Sequence, residues 1–301
     1  LKQVSVDSGS GVSNYQCAYD GGYISYLKNG SLVVVSLKNG KKSTVPRTSG
    51  MSILAYRWIY DRDRILLVEK SASGSYAKLY SYNTADKAKT EIDNAQKKQA
   101  LTIPLKSGTT SASLDMSTLT YLTYLKLTAK SGSQIYKIDV NVKRQQVSTV
   151  TSSIGNIAAL KNDAVFLYED SRRNYVYKAG SSRALSVMNS RELKLLGSDI
   201  NDTVYFAVPE SGKTRLIYYG SLAGSGWHTL RLSHAAALDD IQFTVYGGPY
   251  EVDAENGTLT RLLTGAHASY KGTLLGIYNE GFFSLSGETA RVNALSTSSN
   301  Q

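Results

Sequence analysis

An all-β chain closed into a β-propeller of about seven four-stranded blades is the fold this sequence predicts, and three observations predict it. Apolar residues fall in short alternating or continuous runs, as in Tyr23-Ile24-Ser25-Tyr26-Leu27 and Leu32-Val33-Val34-Val35, and turn residues interrupt them every 6 to 10 positions. Successive side chains of a strand point to opposite faces, so this period marks strands and hairpins, not helices. One segment recurs: two or three apolar or aromatic residues, a polar turn, then a short strand. Seven copies lie at an average spacing of about 40 residues, the period of a propeller blade.

In chain order the copies are 33–40, 79–86, 135–140, 175–180, 216–220, 249–257 and 282–287. Most are preceded by another strand across a tight turn, at Asn29-Gly30, Ser73-Gly74, Ser131-Gly132, Ser211-Gly212 and Asn279-Glu280-Gly281. Gly or Asn at these places supplies the positive φ that short hairpin turns need. A further strand lies upstream, as at 52–58, so each unit reads as strands a, b, c and d with the recurring segment as c. The four prolines in 301 residues leave most strands free to pair on both edges. The whole chain, 1–301, is therefore expected to form one propeller domain, with blades at about 11–47, 52–93, 112–150, 154–187, 195–232, 236–263 and 267–295.

Arg57-Trp58-Ile59-Tyr60-Asp61-Arg62-Asp63-Arg64-Ile65-Leu66-Leu67, followed by Leu79-Tyr80-Ser81-Tyr82, resembles the blade pattern of TolB-like bacterial propellers. Those repeats carry a tryptophan, an Asp-containing turn, an apolar strand and a Leu-Tyr-x-Tyr/Val-Asp strand. The match falls on blade 2, and the other blades keep only the c strand. What the resemblance implies is the fold; propellers of this kind serve as scaffolds, receptors and enzyme domains alike. Two segments compete for the last outer strand, 2–9 and 289–295. The N-terminal one, 1–7, is expected to latch onto the last blade.

Composition narrows the function classes. The chain is 42% hydrophobic and 19% charged, enough to bury a core. No apolar run approaches the roughly 20 residues of a membrane helix. The single cysteine, Cys17, excludes an internal disulfide framework and any CxxC site, and it reads as a small buried hydrophobe. Low cysteine, few charges and abundant Ser, Thr, Gly and Tyr suit an extracytoplasmic bacterial protein. The chain begins Leu1-Lys2-Gln3, so a removed signal peptide or an anchor outside this chain is the expectation for any membrane link.

No nucleophile elbow, phosphate loop, HExxH or calcium loop occurs, and neither cofactor nor metal site is expected. His228 and His234, six residues apart on one strand, stand roughly 20 Å apart at 3.3 Å per residue, too far to share a metal. The acidic pairs Asp61/Asp63 and Asp239/Asp240 read as turn residues. Trp227, in Gly224-Ser225-Gly226-Trp227-His228, is a large aromatic in a glycine-rich turn, and it and His228 are candidate binding residues. The formal net charge of +10 draws attention to the basic residues. Many fall on outer strands, where lysine blocks edge pairing. Lys97, Lys98 and Lys106 instead lie in a long insertion, 93–111, that joins the face shared by the d–a and b–c loops with 188–194 and 234–240. They complete the candidate binding set. Charge spread around the rim argues against nucleic acid and for a protein, glycan or anionic wall-polymer partner. The expected function is thus a non-catalytic, monomeric extracytoplasmic binding or scaffold domain. The alternative is a propeller hydrolase or lyase acting on glycans or peptides from the central channel.

Overall fold

The computed structural model describes residues 2–94 and 99–295 and is an all-β propeller of seven blades. Blade 1 holds Val12–Cys17, Tyr23–Lys28, Ser31–Ser36 and Lys42–Thr44 as strands a to d. Blade 2 holds Met51–Trp58, Arg64–Ser71, Tyr76–Asn83 and Lys89–Glu91. Blade 3 holds Thr109–Ser117, Leu122–Ala129, Gly132–Ile138 and Arg144–Gln146. Blade 4 has Ile154–Ala159, Phe166–Asp170 and Tyr175–Lys178, and its fourth strand shrinks to a bridge between Tyr177 and Ala184. Blade 5 runs through Lys194–Ser198, Val204–Ala207, Lys213–Gly220 and His228–Ala237. A single 3-10 turn, Leu238–Asp240, leads to blade 6: Ile241–Thr244, Gly248–Asp253, Thr258–Arg261 and His267–Ser269.

Blade 7 departs from the expected strand order. Its a, b and c strands are Thr273–Tyr278, Gly281–Ser286 and Thr289–Ala294, and Gln3–Ser5 pairs with the last of these as strand d. The segments expected as c strands in blades 6 and 7 are therefore b strands, and His267 ends blade 6 instead of opening blade 7. The reason is burial. Strands b and c are both covered on two faces, so Tyr250, Phe282 and Phe283 look like the c-strand aromatics elsewhere.

By contact the described chain divides into two compact units, one of 2–113, 254–258 and 267–295, the other of 114–253 and 259–266. In the first unit strand a of blade 1 touches strand a of blades 7 and 2; in the second, strand a of blade 5 touches strand a of blades 4 and 6. Strand a is thus the inner strand. The cores lie between successive blades. Phe166 and Tyr168 pack with Tyr124 and Ile135 of blade 3, while Leu167 between them packs with Leu195 and Phe206 of blade 5. The same alternation sends Ile24 and Tyr26 toward blade 7, and Leu32 and Val34 toward blade 2. A sheet buried on both faces needs nearly continuous apolar strands, which is the pattern in the sequence.

The inner strands of blades 1, 2, 4, 5 and 7 each carry a register shift against strand b. A bulge leaves a backbone group unpaired in its own sheet. Three carbonyls at or beside these bulges accept from a side chain of the preceding blade: Tyr56 from Gln16 at 2.9 Å, Gly155 from Lys126 at 2.7 Å and Leu195 from Asn156 at 2.7 Å. The bulges thereby stitch neighbouring blades together.

Candidate functional site

Two sets of ionisable side chains stand out among the described residues: pairs enclosed between strands and blades, and an exposed set at one end of blade 5. The enclosed ones are paired. Lys161 Nζ lies 3.1 Å from Asp115 Oδ2 with both side chains almost fully buried, and it also donates to the Ala159 carbonyl at 2.6 Å. Asp115 in turn accepts the Ala159 N–H at 2.7 Å. Glu69 is paired with Lys89, whose ammonium also reaches the Pro46 carbonyl and sits over the Tyr80 ring. Glu169 accepts the Leu195 N–H at 2.9 Å and lies 3.2 Å from Lys194 Nζ. A Cβ on Gly155 would stand 2.4 Å from the Glu169 carboxylate, so only glycine leaves room for it. Burial pushes the neighbouring Lys126 ammonium below the ordinary lysine range. Every one of these groups ties backbone or side chains of adjacent strands or blades. None was evident in the sequence, where the partners stand 20 to 46 residues apart.

The exposed group is built by a hairpin and a bulge. Glu210 and Lys213 exchange backbone hydrogen bonds of 2.8 and 3.0 Å across Ser211-Gly212, both with positive φ (49° and 77°), the two-residue turn the sequence predicts. Strand c pairs with strand d as Lys213↔Ala237 and Thr214↔Ala236, then resumes at Leu216↔Arg231. Arg215 alone therefore faces Leu232, Ser233, His234 and Ala235. Buried Thr214 holds the distortion, donating to the Leu216 carbonyl at 2.8 Å. Bulges of this kind re-aim side chains. Here they open a cleft of about 390 Å³ lined by Glu210, Ser211, Lys213, Thr214, Arg215 and Ala235. The side chains of Glu210, Lys213 and Arg215 are exposed and make no hydrogen bond or ion pair among the described residues.

The same bulge carries His234 to blade 6. Its Nε2 stands 2.6 Å from Glu251 Oε1, and Ser233 Oγ lies 3.3 Å from its Nδ1. With Glu251 ionised, Nε2–H donates to the carboxylate and Nδ1 is left to accept from the hydroxyl, the order of a hydroxyl–imidazole–carboxylate relay. Chemically, the cleft and this chain offer an anion-binding fork, a counter-carboxylate and a base.

Trp227 and His228 sit at the opposite end of strands c and d. Trp227 is half-buried against Phe206 and covers Gly220, where a Cβ would meet its ring at 2.9 Å; His228 is exposed and stacks on Tyr219 with ring centroids 5.2 Å apart. Lys106 is half-buried in a turn whose carbonyl accepts both the N–H and the hydroxyl of Thr109. Lys97 and Lys98 lie outside the described residues. The insertion they belong to is less irregular than expected: Asp93–Asn94 pairs with Gln99–Ala100, and Ile103–Pro104 adds to the edge of blade 2. Buried Leu101 and Ile103 anchor it there. Of the described sequence candidates, Trp227 and His228 are chain neighbours on blade 5 and Lys106 lies in the connection between blades 2 and 3; the cleft residues were singled out by no sequence signal beyond the Ser211-Gly212 turn.

Asp61 is paired with Arg62, which holds its carboxyl below the usual range, and burial raises that of Asp63. Burial pushes the Cys17 thiol up to about 12, so it stays protonated. Among the described residues no group of three or more His, Cys, Asp or Glu is placed to hold a metal ion.

No family model and no curated protein matches the chain. Solved structures do. Virginiamycin B lyase from Staphylococcus aureus is similar over 98% of both chains, with a TM-score of 0.59 at 10% identity. Hsv2 of Kluyveromyces lactis covers 90% of this chain and 88% of its own, with a TM-score of 0.53 at 11% identity. Its variant with loop 6CD replaced by a Gly-Ser linker covers the same shares, at a TM-score of 0.55 and 10% identity. At such identities the likeness is one of fold: all are propellers.

Proposed function

We propose that this chain is a non-catalytic, extracytoplasmic binding domain whose blade 5 cleft takes an anionic ligand, a glycan or wall polymer bearing carboxylate or phosphate groups. One observation carries the reading: Glu210, Lys213 and Arg215 line a single cleft and are unpaired among the described residues, whereas Lys89, Lys161 and Lys194 each meet an enclosed carboxylate. Arginine presents a planar fork that matches carboxylate and phosphate oxygens, and lysine adds a second positive charge. Glu210 favours ligands with an amine or hydroxyl beside the anion. Low cysteine, few charges and abundant Ser, Thr, Gly and Tyr support an extracytoplasmic setting, and the TolB-like cast of blade 2 belongs to the same reading. Calorimetric titration with a uronic-acid or phosphate-bearing polysaccharide tests it. Binding should weaken as salt rises, because exposed charges are screened within about 8 Å at physiological ionic strength. Arg215→Gln and Lys213→Gln should each lower affinity several-fold, while Lys41→Gln with Lys42→Gln on the rim leaves it unchanged. Equal losses in cleft and rim variants would retire the cleft.

A second reading, a hydrolase or lyase, has one specific support, the Ser233–His234–Glu251 chain. It expects turnover of a glycan or peptide substrate that His234→Ala abolishes while binding of the polyanion persists. A wild-type protein inert across such substrates would leave binding alone.

A further inference from the structure

We infer that the ligand of the blade 5 cleft is a linear polyanion that continues from the cleft across the same end of blades 4 and 3. The inference rests on the binding reading above and extends it to the length of the ligand. Strands b and c meet in hairpins at that end, so the Ser211-Gly212 turn of blade 5 shares it with the b–c turns of blade 4 (171–174) and blade 3 (130–131). Backbone hydrogen bonds tie the three ends together. The Ser133 N–H donates to the Ser152 carbonyl at 2.8 Å, that of Ser171 to Ser153 at 2.9 Å and that of Leu193 to Asn174 at 2.6 Å. Leu193 then packs among Leu195, Val204 and Phe206 of blade 5. Sheets stacked face to face lie about 10 Å apart, so the row from blade 5 to blade 3 spans roughly 20 Å.

Lys130, Arg172, Arg173 and Arg191 stand exposed along this row, beyond Lys213 and Arg215 of the cleft. The side chains of these four make no hydrogen bond or ion pair among the described residues; Arg191 rests over the Tyr175 ring at 4.8 Å. The carboxylates of the blade 4 hairpin are withdrawn from solvent. Asp170, 4% exposed, accepts the Arg172 N–H at 3.0 Å, and fully buried Glu169 meets Lys194 and the Leu195 N–H. Glu192 is the one exposed carboxylate beside the four cations among the described residues. Asp239 and Asp240, after strand d of blade 5, and Asp253, at the end of strand b of blade 6, lie past the cleft on its other side. The row therefore leads from the cleft toward blade 4 and away from blade 6. One carboxylate or phosphate fills the Arg215 fork and leaves the cations beyond it unmet, whereas a chain of anionic units meets each in turn. Nucleic acid fits less well, because it calls for exposed rings on which bases stack. Tyr175 lies under Arg191, and Tyr121, the tyrosine among the most exposed large hydrophobics, is at the opposite end of blade 3.

Calorimetric titration of the full chain with dimers and octamers of galacturonate and of glycerol phosphate tests the inference, and the two series separate carboxylate from phosphate as the anion. In at least one series the octamer should bind tenfold or more tighter than the dimer and lose more affinity as salt rises, since it meets more screened charges. Arg172→Gln with Arg173→Gln should cost the octamer about that tenfold and leave the dimer unchanged, and the retained dimer binding shows that the variant is folded with its cleft intact. Lys41→Gln with Lys42→Gln removes the same charge from the rim and should leave both lengths unchanged. Equal affinity for dimer and octamer, or an octamer indifferent to the Arg172/Arg173 change, would overturn the inference while the cleft reading stands. An octamer weakened as much by the rim variant would reduce the row to net charge and overturn it as well. No binding of either series at any length would overturn the inference together with the reading it rests on. A single-stranded DNA octamer that binds tighter than both series would replace the anionic polymer by nucleic acid.

Discussion

The Asp115–Lys161 pair and the Glu210/Lys213/Arg215 cleft contain the same chemical groups under opposite conditions. The first is enclosed by blades 3 and 4 and surrounded by partners; the second stands in water with none among the described residues. The difference teaches where to look for function here. Enclosed charges must be satisfied by the fold, since an unpaired one costs several kcal/mol, and so they are bound up in structure. Unpaired exposed charges gathered in one concavity carry no such duty and are available to a ligand.

Four substitutions break or sharpen that contrast. Lys161→Met should have the largest effect, since it strands the Asp115 carboxylate between blades. Breaking a buried pair from one side costs about 3–5 kcal/mol, a large part of a domain's net stability. Chemical denaturation would detect it, and a midpoint unchanged from wild type would mean that the pair carries little. Gly155→Ala comes next. The added methyl meets the Glu169 carboxylate at 2.4 Å and must displace it from Lys194 and the Leu195 N–H, an overpacking cost of about 1–3 kcal/mol. A smaller, pH-dependent effect belongs to Asp7, just past the N-terminal strand. The Tyr26 hydroxyl, with Lys42 and Lys28 beside it, holds its carboxyl down at about 2 against an ordinary 3.8. The native state therefore favours the ionised form: its stabilisation is complete above pH about 4 and fades as the pH falls toward 2. Asp7→Asn should lower the thermal midpoint at pH 6 and flatten the decline between pH 4 and 2; parallel acid limbs in both proteins would count against the contacts. Arg215→Gln should alter stability least, within about 0.5 kcal/mol, because it removes an exposed group without a partner. Its effect is confined to binding.

The N-terminal strand shows how far local pattern reaches. Val4 and Val6 alternate with polar residues, which marks a one-faced strand, and both are buried against blades 7 and 1. That it pairs with Thr289–Ala294 depends on a segment nearly 290 residues away. The c strands of blades 1 to 5 were legible as apolar runs, which follow a glycine turn in blades 1, 2, 3 and 5. In blades 6 and 7 the b strands carry the same run, because two-sided burial makes identical demands on both strands.

Period-two patterning, glycine-bearing turns and the repeat of about 40 residues are properties of neighbours along the chain, so the sequence by itself determined the all-β propeller and the place of most strands. Pairing decided the rest. Whether Arg215 faces one residue or four is set by the register of His228–Ala237 against Lys213–Gly220, and nothing within either strand marks it. Which carboxylate meets Lys161, and which imidazole meets Glu251, is likewise set by how blades stack, across 46 and 17 residues of chain. The cleft and the ion pairs exist only because tertiary packing encloses some charged side chains and leaves others in water.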